Sequence, residues 1–271
     1  MTPRAGAPRL VRPLLVAFLA VAAVDLAGLL AGAQTAHLVA KPLLMPLLAA
    51  CAAARGGPRL LVAALLCGWA GDVLLLPDSE AAFLAGMGCF AAGHVCYLLL
   101  FGRARLRPAA GLAYAAVLVA FLAYLWTGLP GELRIPLTGY SLLLAAITWR
   151  AGALGRYAAL GGALFLLSDA LIATGIAGRP QLPAHDFWIM LTYLAAQYLL
   201  TRGALGGTAD ASRWVRTGCR AATRRWTSAR RSRSSSLRSH AREGPGTAAP
   251  GPSLMRCYQR TASSASTTPA P

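Results

Sequence analysis

Charge is scarce in this 271-residue chain: 13% of its residues are Asp, Glu, Lys or Arg, and only nine of them are acidic. A water-soluble domain of this length needs polar outer faces on its helices. Stretches such as 14–30 and 112–126 have almost none, which excludes an ordinary soluble fold. The six cysteines, Cys51, Cys67, Cys89, Cys96, Cys219 and Cys257, form no CxxC pair, and no histidine stands at ligand spacing from the four that lie in apolar blocks. That pattern argues against a disulfide framework or a zinc site and leaves them as small packing residues. There is no HExxH or comparable cluster, so no metal or other cofactor is expected. No nucleic-acid recognition motif accompanies the basic charge either, so a specific nucleic-acid partner is not expected.

What the chain has in quantity is hydrocarbon. Hydrophobic residues make up 56% of it and are gathered into long blocks, the pattern of a polytopic α-helical membrane protein. Blocks of the length that a bilayer core requires fall near 14–32, 38–54, 59–77, 81–102, 109–127, 134–150, 156–177 and 185–201. Pro, Gly and charged residues punctuate the junctions, as in Gly56-Gly57-Pro58, Pro130-Gly131 and Gly178-Arg179-Pro180. The expected fold is therefore an all-α bundle of eight transmembrane helices over 14–202, preceded by a short N-terminus, 1–13, and followed by a tail, 203–271.

Arginine placement gives an independent orientation, because cytoplasmic loops are enriched in Lys and Arg. Arg4, Arg9 and Arg12 precede the first block, Arg55 and Arg59 separate the second from the third, and Arg103, Arg105 and Arg107 separate the fourth from the fifth. Arg150 and Arg156 flank the next loop on that side. The opposite loops hold Asp78, Glu80, Glu132 and Asp186 against Arg134 and Arg179. Both termini are thus expected in the cytoplasm, with the protein in the inner (plasma) membrane. The first block resembles a signal peptide, with Ala31-Gly32-Ala33 as a cleavage-like site, but its apolar run is too long for a usual one.

The net charge of +17 is unevenly spread. Residues 1–201 carry 13 basic and seven acidic residues, a balance of +6, and the remaining +11 lies beyond them. The tail is rich in Ser, Thr, Ala, Pro and Arg and lacks the apolar content for a core, so it is expected to be largely disordered. Its basic stretch with Trp214 and Trp226 suits contact with anionic lipids of the inner leaflet, and a solvated tail without a specific partner is the simpler reading.

Ionisable groups inside spans cost several kcal/mol and direct attention to function. Asp25 lies in the first block, Lys41 opens the second, and Asp72, His94 and Asp169 lie in the third, fourth and seventh. Tyr193 and Gln197 stand one helical turn apart on the eighth. With the orientation above, Lys41, Asp72 and Asp169 fall in the outer half of the bilayer, with His94, Tyr193 and Gln197 nearer its middle. These residues are expected to line one polar cavity open to the outer leaflet. Gly71-Asp72 and Ser168-Asp169 each precede an apolar run four blocks apart, which points to a parallel four-plus-four repeat. The competing reading is structural: Lys41 neutralising one Asp, and His94 bonded to backbone in a packed interface. Against it, burying charge for stability alone rarely gains anything.

Several of these stretches in order resemble the YhhN-like lysoplasmalogenase family of eight-span membrane proteins. They are Lys41-Pro42-Leu43-Leu44-Met45-Pro46-Leu47, Gly71-Asp72-Val73-Leu74-Leu75, Gly93-His94 with Tyr97 and Phe101, Leu166-Leu167-Ser168-Asp169-Ala170, and Met190-Leu191-Thr192-Tyr193 with Gln197-Tyr198. The resemblance implies a lysophospholipid substrate in the bilayer. It also implies hydrolysis of the vinyl ether bond of a lysoplasmalogen to a fatty aldehyde and a glycerophosphoethanolamine or glycerophosphocholine. Such a reaction needs an acid to protonate the β-carbon, a negative group near the resulting cation and a base for water. Asp72 and Asp169 are expected as the acid and the stabilising base, in either order, with His94 relaying a proton or positioning water. Lys41 is expected to hold the phosphate or balance the carboxylates, and Ser168, Tyr193 and Gln197 to orient the head group. The alternative is a transporter or lipid-binding protein that uses the same intramembrane charges without chemistry.

Overall fold

The protein is described by a computed structural model over residues 7–77, 79–102 and 108–206. The expectations for Asp78, for the Arg103, Arg105 and Arg107 loop and for the tail from 207 onward, Trp214, Trp226, Cys219 and Cys257 included, lie outside the described residues.

Among the described residues the chain is all-helical. The helices are α1 (Ala7–Leu30), α2 (Gln34–Ala54), α3 (Arg59–Leu74), α4 (Glu80–Phe101), α5 (Pro108–Leu125), α6 (Gly131–Ala151) and α7 (Arg156–Ile176), with α8 over 185–206. Each of the eight apolar blocks has become one helix, shifted by a few residues at its ends, with α1 starting earlier than the block. Five helices are long and apolar enough to cross a membrane: α1, α2, α4, α5 and α7. α3 has 16 residues, about 24 Å at 1.5 Å per residue, and α6 carries Glu132, Arg134 and Arg150 near its ends.

The sequence explains where the helices stop. α4 starts at Ser79, whose hydroxyl accepts from the Ala82 amide at 3.3 Å, with Glu80 in the first turn to complement the helix dipole. α2 ends at Arg55, and Gly56 then takes φ +70°, a left-handed conformation that glycine adopts without steric cost. The amide of Gly57 returns to the carbonyl of Ala52 at 2.9 Å, satisfying a last-turn acceptor before Pro58 opens α3. Pro42 and Pro46 lie within α2 and Pro136 within α6. Each removes one backbone donor, a loss that membrane helices tolerate where neighbours re-satisfy the freed carbonyls.

Hydrocarbon surroundings supply little drive for one helix to leave lipid for another, so close backbone approach takes over. α1 packs on α2, α2 on α3, α3 on α4, α4 on α6, α5 on α6 and α6 on α7. Glycines make the tightest crossings. A Cβ on Gly161 would stand 2.8 Å from the Leu200 amide nitrogen, and one on Gly203 would stand 2.6 Å from the Ala158 Cβ, so α7 and α8 touch backbone to backbone. A Cβ on Gly162 would meet the Thr148 Cα of α6 at 3.0 Å. The main core gathers Phe18, Leu44, Met45, Leu65, Tyr97, Ile147, Phe165 and Leu200 from seven of the helices. A smaller cluster, Leu125, Leu129, Leu137, Ala173 and Ala177, ties the end of α5 to α6 and α7.

Gly161→Ala therefore forces α7 from α8 and is expected to destabilise the purified protein by about 1–3 kcal/mol. Gly139→Ala, where nothing lies within 4 Å, is expected to stabilise α6 by about 0.5–1 kcal/mol. Thermal unfolding in detergent distinguishes the two signs; equal shifts would rule out the close approach.

Candidate active site

Lys41 of α2, Asp72 of α3, Ser168 and Asp169 of α7 and Tyr193 of α8 line one cavity, with Tyr140 of α6 among them. The cavity has about 70 Å³ of room, space for a few waters, and apolar walls that include Phe83, Phe90 and Met190. Asp72 is buried, and its Oδ2 accepts from the Tyr193 hydroxyl at 2.8 Å. Asp169 is only partly buried, and its Oδ2 accepts from the Tyr140 hydroxyl at 2.5 Å. Each carboxyl is thus held by one tyrosine. The two carboxyls lie within electrostatic reach of one another, and Tyr140 within reach of both.

Small residues beside Asp72 create the room for this arrangement. Gly71 lies under the Phe90 ring, where a Cβ would stand 2.6 Å from two ring carbons. A Cβ on Gly68 would stand 3.3 Å from the Tyr193 hydroxyl and 3.2 Å from the Gln197 amide nitrogen. α3 therefore lets both α8 side chains lie against its backbone, which is what brings Tyr193 to Asp72.

Behind the cavity runs a polarised chain of hydrogen bonds. The Tyr97 hydroxyl of α4 donates to Gln197 Oε1 at 2.8 Å, and Gln197 Nε2 donates toward the Tyr193 oxygen at 3.5 Å, a long contact. Tyr193 in turn donates to Asp72, so three buried side chains orient one carboxylate oxygen. Gln197 belongs to this supporting row and not to the cavity wall.

His94 is also set back from the cavity wall. Its ring is buried between Tyr140, 5.2 Å between centroids, and Phe165, 4.9 Å. Among the described residues neither ring nitrogen has a hydrogen-bond partner. The structure thus brings His94 to the tyrosine that holds Asp169, without a direct bond to either carboxyl. Ser168 lines the cavity, but its hydroxyl donates to the Ile189 carbonyl at 3.1 Å, fastening α7 to α8.

Lys41 is the chain's one lysine. Among the described residues it makes no hydrogen bond or ion pair, although it lies within electrostatic reach of Asp72. A cation without a paired carboxylate, on the wall of a cavity, is available to an anionic ligand. Asp25, by contrast, is buried and has its own partner, His37 Nδ1 at 2.8 Å. Among the described residues, no group of three or more His, Cys, Asp and Glu side chains is placed to hold a metal ion. Cys51, Cys67, Cys89 and Cys96 are free thiols.

Sequence reasoning missed Tyr140, Tyr97 and His37 as members of these networks. Tyr140 had a legible signal, since Thr138-Gly139-Tyr140-Ser141 is a small polar stretch inside an apolar block. His37 precedes Lys41 by one helical turn and stands only 12 residues from Asp25, a spacing that gave no helical register across the intervening loop.

The protein named lysoplasmalogenase TMEM86B of Homo sapiens is 38% identical over 152 residues, 55% of this chain and 65% of that protein. Its namesake of Rattus norvegicus is 36% identical over 168 residues, 61% of this chain and 70% of the relative. The lysoplasmalogenase of Mycobacterium tuberculosis is 35% identical over 164 residues, 55% of this chain and 61% of the relative. The chain thus spans less than two thirds of the human and mycobacterial proteins' own lengths. No solved structure matches it. The description YhhN family matches residues 36–204, a stretch that holds every cavity-lining residue named above, and the chain belongs to that family.

Proposed function

We propose that the chain is a membrane-embedded lysolipid hydrolase, a lysoplasmalogenase that cleaves a vinyl ether with two carboxyls and no cofactor. The observation that carries this reading is the convergence of Asp72 and Asp169 on one cavity, each with a tyrosine donor and with the unpaired Lys41 beside them. Relatives named lysoplasmalogenase support it.

A vinyl ether is cleaved by adding a proton to its β-carbon. The proton of one carboxyl forms the new C–H bond as the double-bond electrons shift, leaving an oxocarbenium ion and a carboxylate. Water adds to the carbon bearing oxygen and gives its proton to the second carboxylate. The hemiacetal then breaks its bond to the glycerol oxygen, which takes that proton back, while the hemiacetal hydroxyl returns its proton to the first carboxylate. One water is consumed, a fatty aldehyde and a glycerophospho alcohol are released, and both carboxyls regain their starting states. Negative charge fixed beside the cation lowers the barrier in a cavity with apolar walls. Tyr140 and Tyr193 fix one oxygen of each carboxyl and leave the other for chemistry. Lys41 receives the phosphate, Ser168 shapes the head-group wall through α7, and Gln197 holds Tyr193. His94 supports Tyr140 and passes protons or positions water behind it.

The same reading places the catalytic domain at 14–202 as eight spans in the plasma membrane, with 1–13 and the basic tail 203–271 in the cytoplasm. Residues at both ends of the bundle support the placement of the span ends. Arg156 and Arg202 stack on Tyr157, with centroid distances of 5.0 and 4.3 Å. On the opposite loops Arg134 stacks on Trp126 at 5.3 Å and Arg179 on Tyr124 at 4.7 Å. Arg and aromatic pairs of this kind mark membrane–water boundaries.

Purified protein in detergent is expected to release aldehyde from a lysoplasmalogen. Asp72→Asn and Asp169→Asn are each expected to lower kcat by about 10²–10⁴. Undiminished release by either variant would end the assignment, and uptake of unaltered lipid into vesicles without aldehyde would favour transport instead. Tyr140→Phe and Tyr193→Phe remove a hydrogen bond to an acid and are expected to cost about 1.5–3 kcal/mol in kcat/KM. Lys41→Met is expected to raise KM about tenfold or more with a smaller change in kcat, the mark of a group that binds the phosphate before and during the reaction. A fall in kcat alone would remove that role.

A further inference from the structure

A second cavity lies between α5, α6 and α7, and with about 270 Å³ of room it is nearly four times the size of the first. The two cavities have Leu137, Tyr140, Asp169 and Ala173 in common. Apart from Ser141 and the Asp169–Tyr140 pair, the second is walled by aliphatic and phenyl side chains such as Val117, Phe121, Leu144 and Leu166. The polar groups that can hold a phosphate or activate water all belong to the first.

The opening of the second cavity is toward lipid. α5 packs against α6, and the α5 residues that are buried are Leu118 and Leu125. At one end the gap between α5 and α7 is closed. There Leu125 and Leu129 meet Ala173 and Ala177, Gly128 abuts the Ala177 carbonyl, and Arg179 donates to the Tyr124 carbonyl and to Thr127 Oγ1 at 2.8 Å. Below that clasp the rim is made by Val117 of α5 and Leu167 of α7, 61% and 47% exposed respectively. A path walled by hydrocarbon therefore leads from the outer surface of the bundle to the partly buried carboxyl of Asp169.

We propose that this cavity receives the alkenyl chain of the lysolipid sideways from the bilayer, so that the vinyl ether lies at Asp169 and Tyr140 while the phosphate reaches the first cavity beside Lys41. The inference rests on the hydrolase reading for its substrate. Its basis is the chemistry of the bond: a vinyl ether joins a hydrocarbon chain to a polar head. A site that cuts it needs an apolar arm and a polar arm meeting at the catalytic acid. The two cavities have that relation, and the residues common to both include Asp169. Burial of each chain methylene is worth about 0.8 kcal/mol, so the apolar arm sets which chain lengths are accepted. The single chain and large head group of a lysolipid also explain why a lateral mouth serves: the tail never has to leave an apolar environment.

Two measurements on the full chain test this. The first uses Ala163→Leu, which narrows the second cavity at its rim, with Ala20→Leu on the lipid-facing groove between α1 and α2 as the control. The ratio of kcat/KM for an octadecenyl over an octenyl lysoplasmalogen is expected to fall about tenfold in Ala163→Leu and to stay within about twofold in the control. An unchanged ratio, or equal changes in both, overturns the proposal.

The second measurement does not depend on turnover or on a variant that folds. A non-hydrolysable alkyl-ether lysophospholipid with a diazirine in its chain is photolysed with the wild-type protein, with and without excess unlabelled lysolipid. Displaceable label on peptides of α5 and α7 around Val117 and Leu167 supports the proposal. Label elsewhere, or none that is displaced, overturns it. Hydrolysis by the same preparation is assayed separately. A protein that releases aldehyde yet labels elsewhere loses this inference alone. One that labels at α5 and α7 yet releases no aldehyde keeps its chain site and loses the hydrolase reading.

Discussion

Two carboxyl groups have to be kept inside a bundle whose walls are hydrocarbon, and the arrangement of α3, α6, α7 and α8 follows from how that is done. Among the described residues neither Asp72 nor Asp169 has a cation bonded to it; each has a tyrosine hydroxyl instead. A hydrogen bond from a neutral donor holds a carboxyl in place without cancelling its charge, so it remains usable as an acid or a base. The unpaired Lys41 fits the same logic, since a cation already spent on an internal carboxylate has little left for a phosphate.

The backbone is shaped to serve these bonds. Gly68 and Gly71 give α3 a bare face against which Tyr193, Gln197 and Phe90 lie, and Gly161 and Gly203 bring α7 and α8 together so that residues from both face one cavity. The residue before each acid has a mechanical use: Gly71 admits the Phe90 ring, and Ser168 fastens α7 to the Ile189 carbonyl. What reads as a short motif of a small residue followed by Asp is thus two different solutions to one problem, placing a carboxyl at the inner face of a close crossing.

The eight helices were legible because length and hydropathy decide them locally, and lipid as the solvent leaves few other backbone solutions. So was the convergence of Lys41, Asp72, Asp169 and Tyr193 on one cavity, since polar residues in apolar blocks are costly and tend to meet. Depth along a helix was easier to read than direction around it. Gln197 and His94 sit at suitable depths but behind the wall, one in a row of hydrogen bonds and the other between two aromatic rings. Which tyrosine meets which acid depends on crossings set by glycines on neighbouring helices, and no single segment carries that information. The second cavity was illegible for the same reason, being a gap left by α5 and α7 and not a pattern of residues.

The Asp25–His37 pair differs from the others in how far apart its members are along the chain. Its members stand 12 positions apart, so the buried Asp25 meets its partner within the hairpin of α1 and α2. Asp169 finds Tyr140 29 residues upstream, already synthesised, whereas Asp72 awaits a hydroxyl 121 residues downstream on α8. The hydrogen bond between Tyr193 and Asp72 can therefore form only once α8 has been made, and a nascent chain halted before α8 leaves Asp72 without its tyrosine.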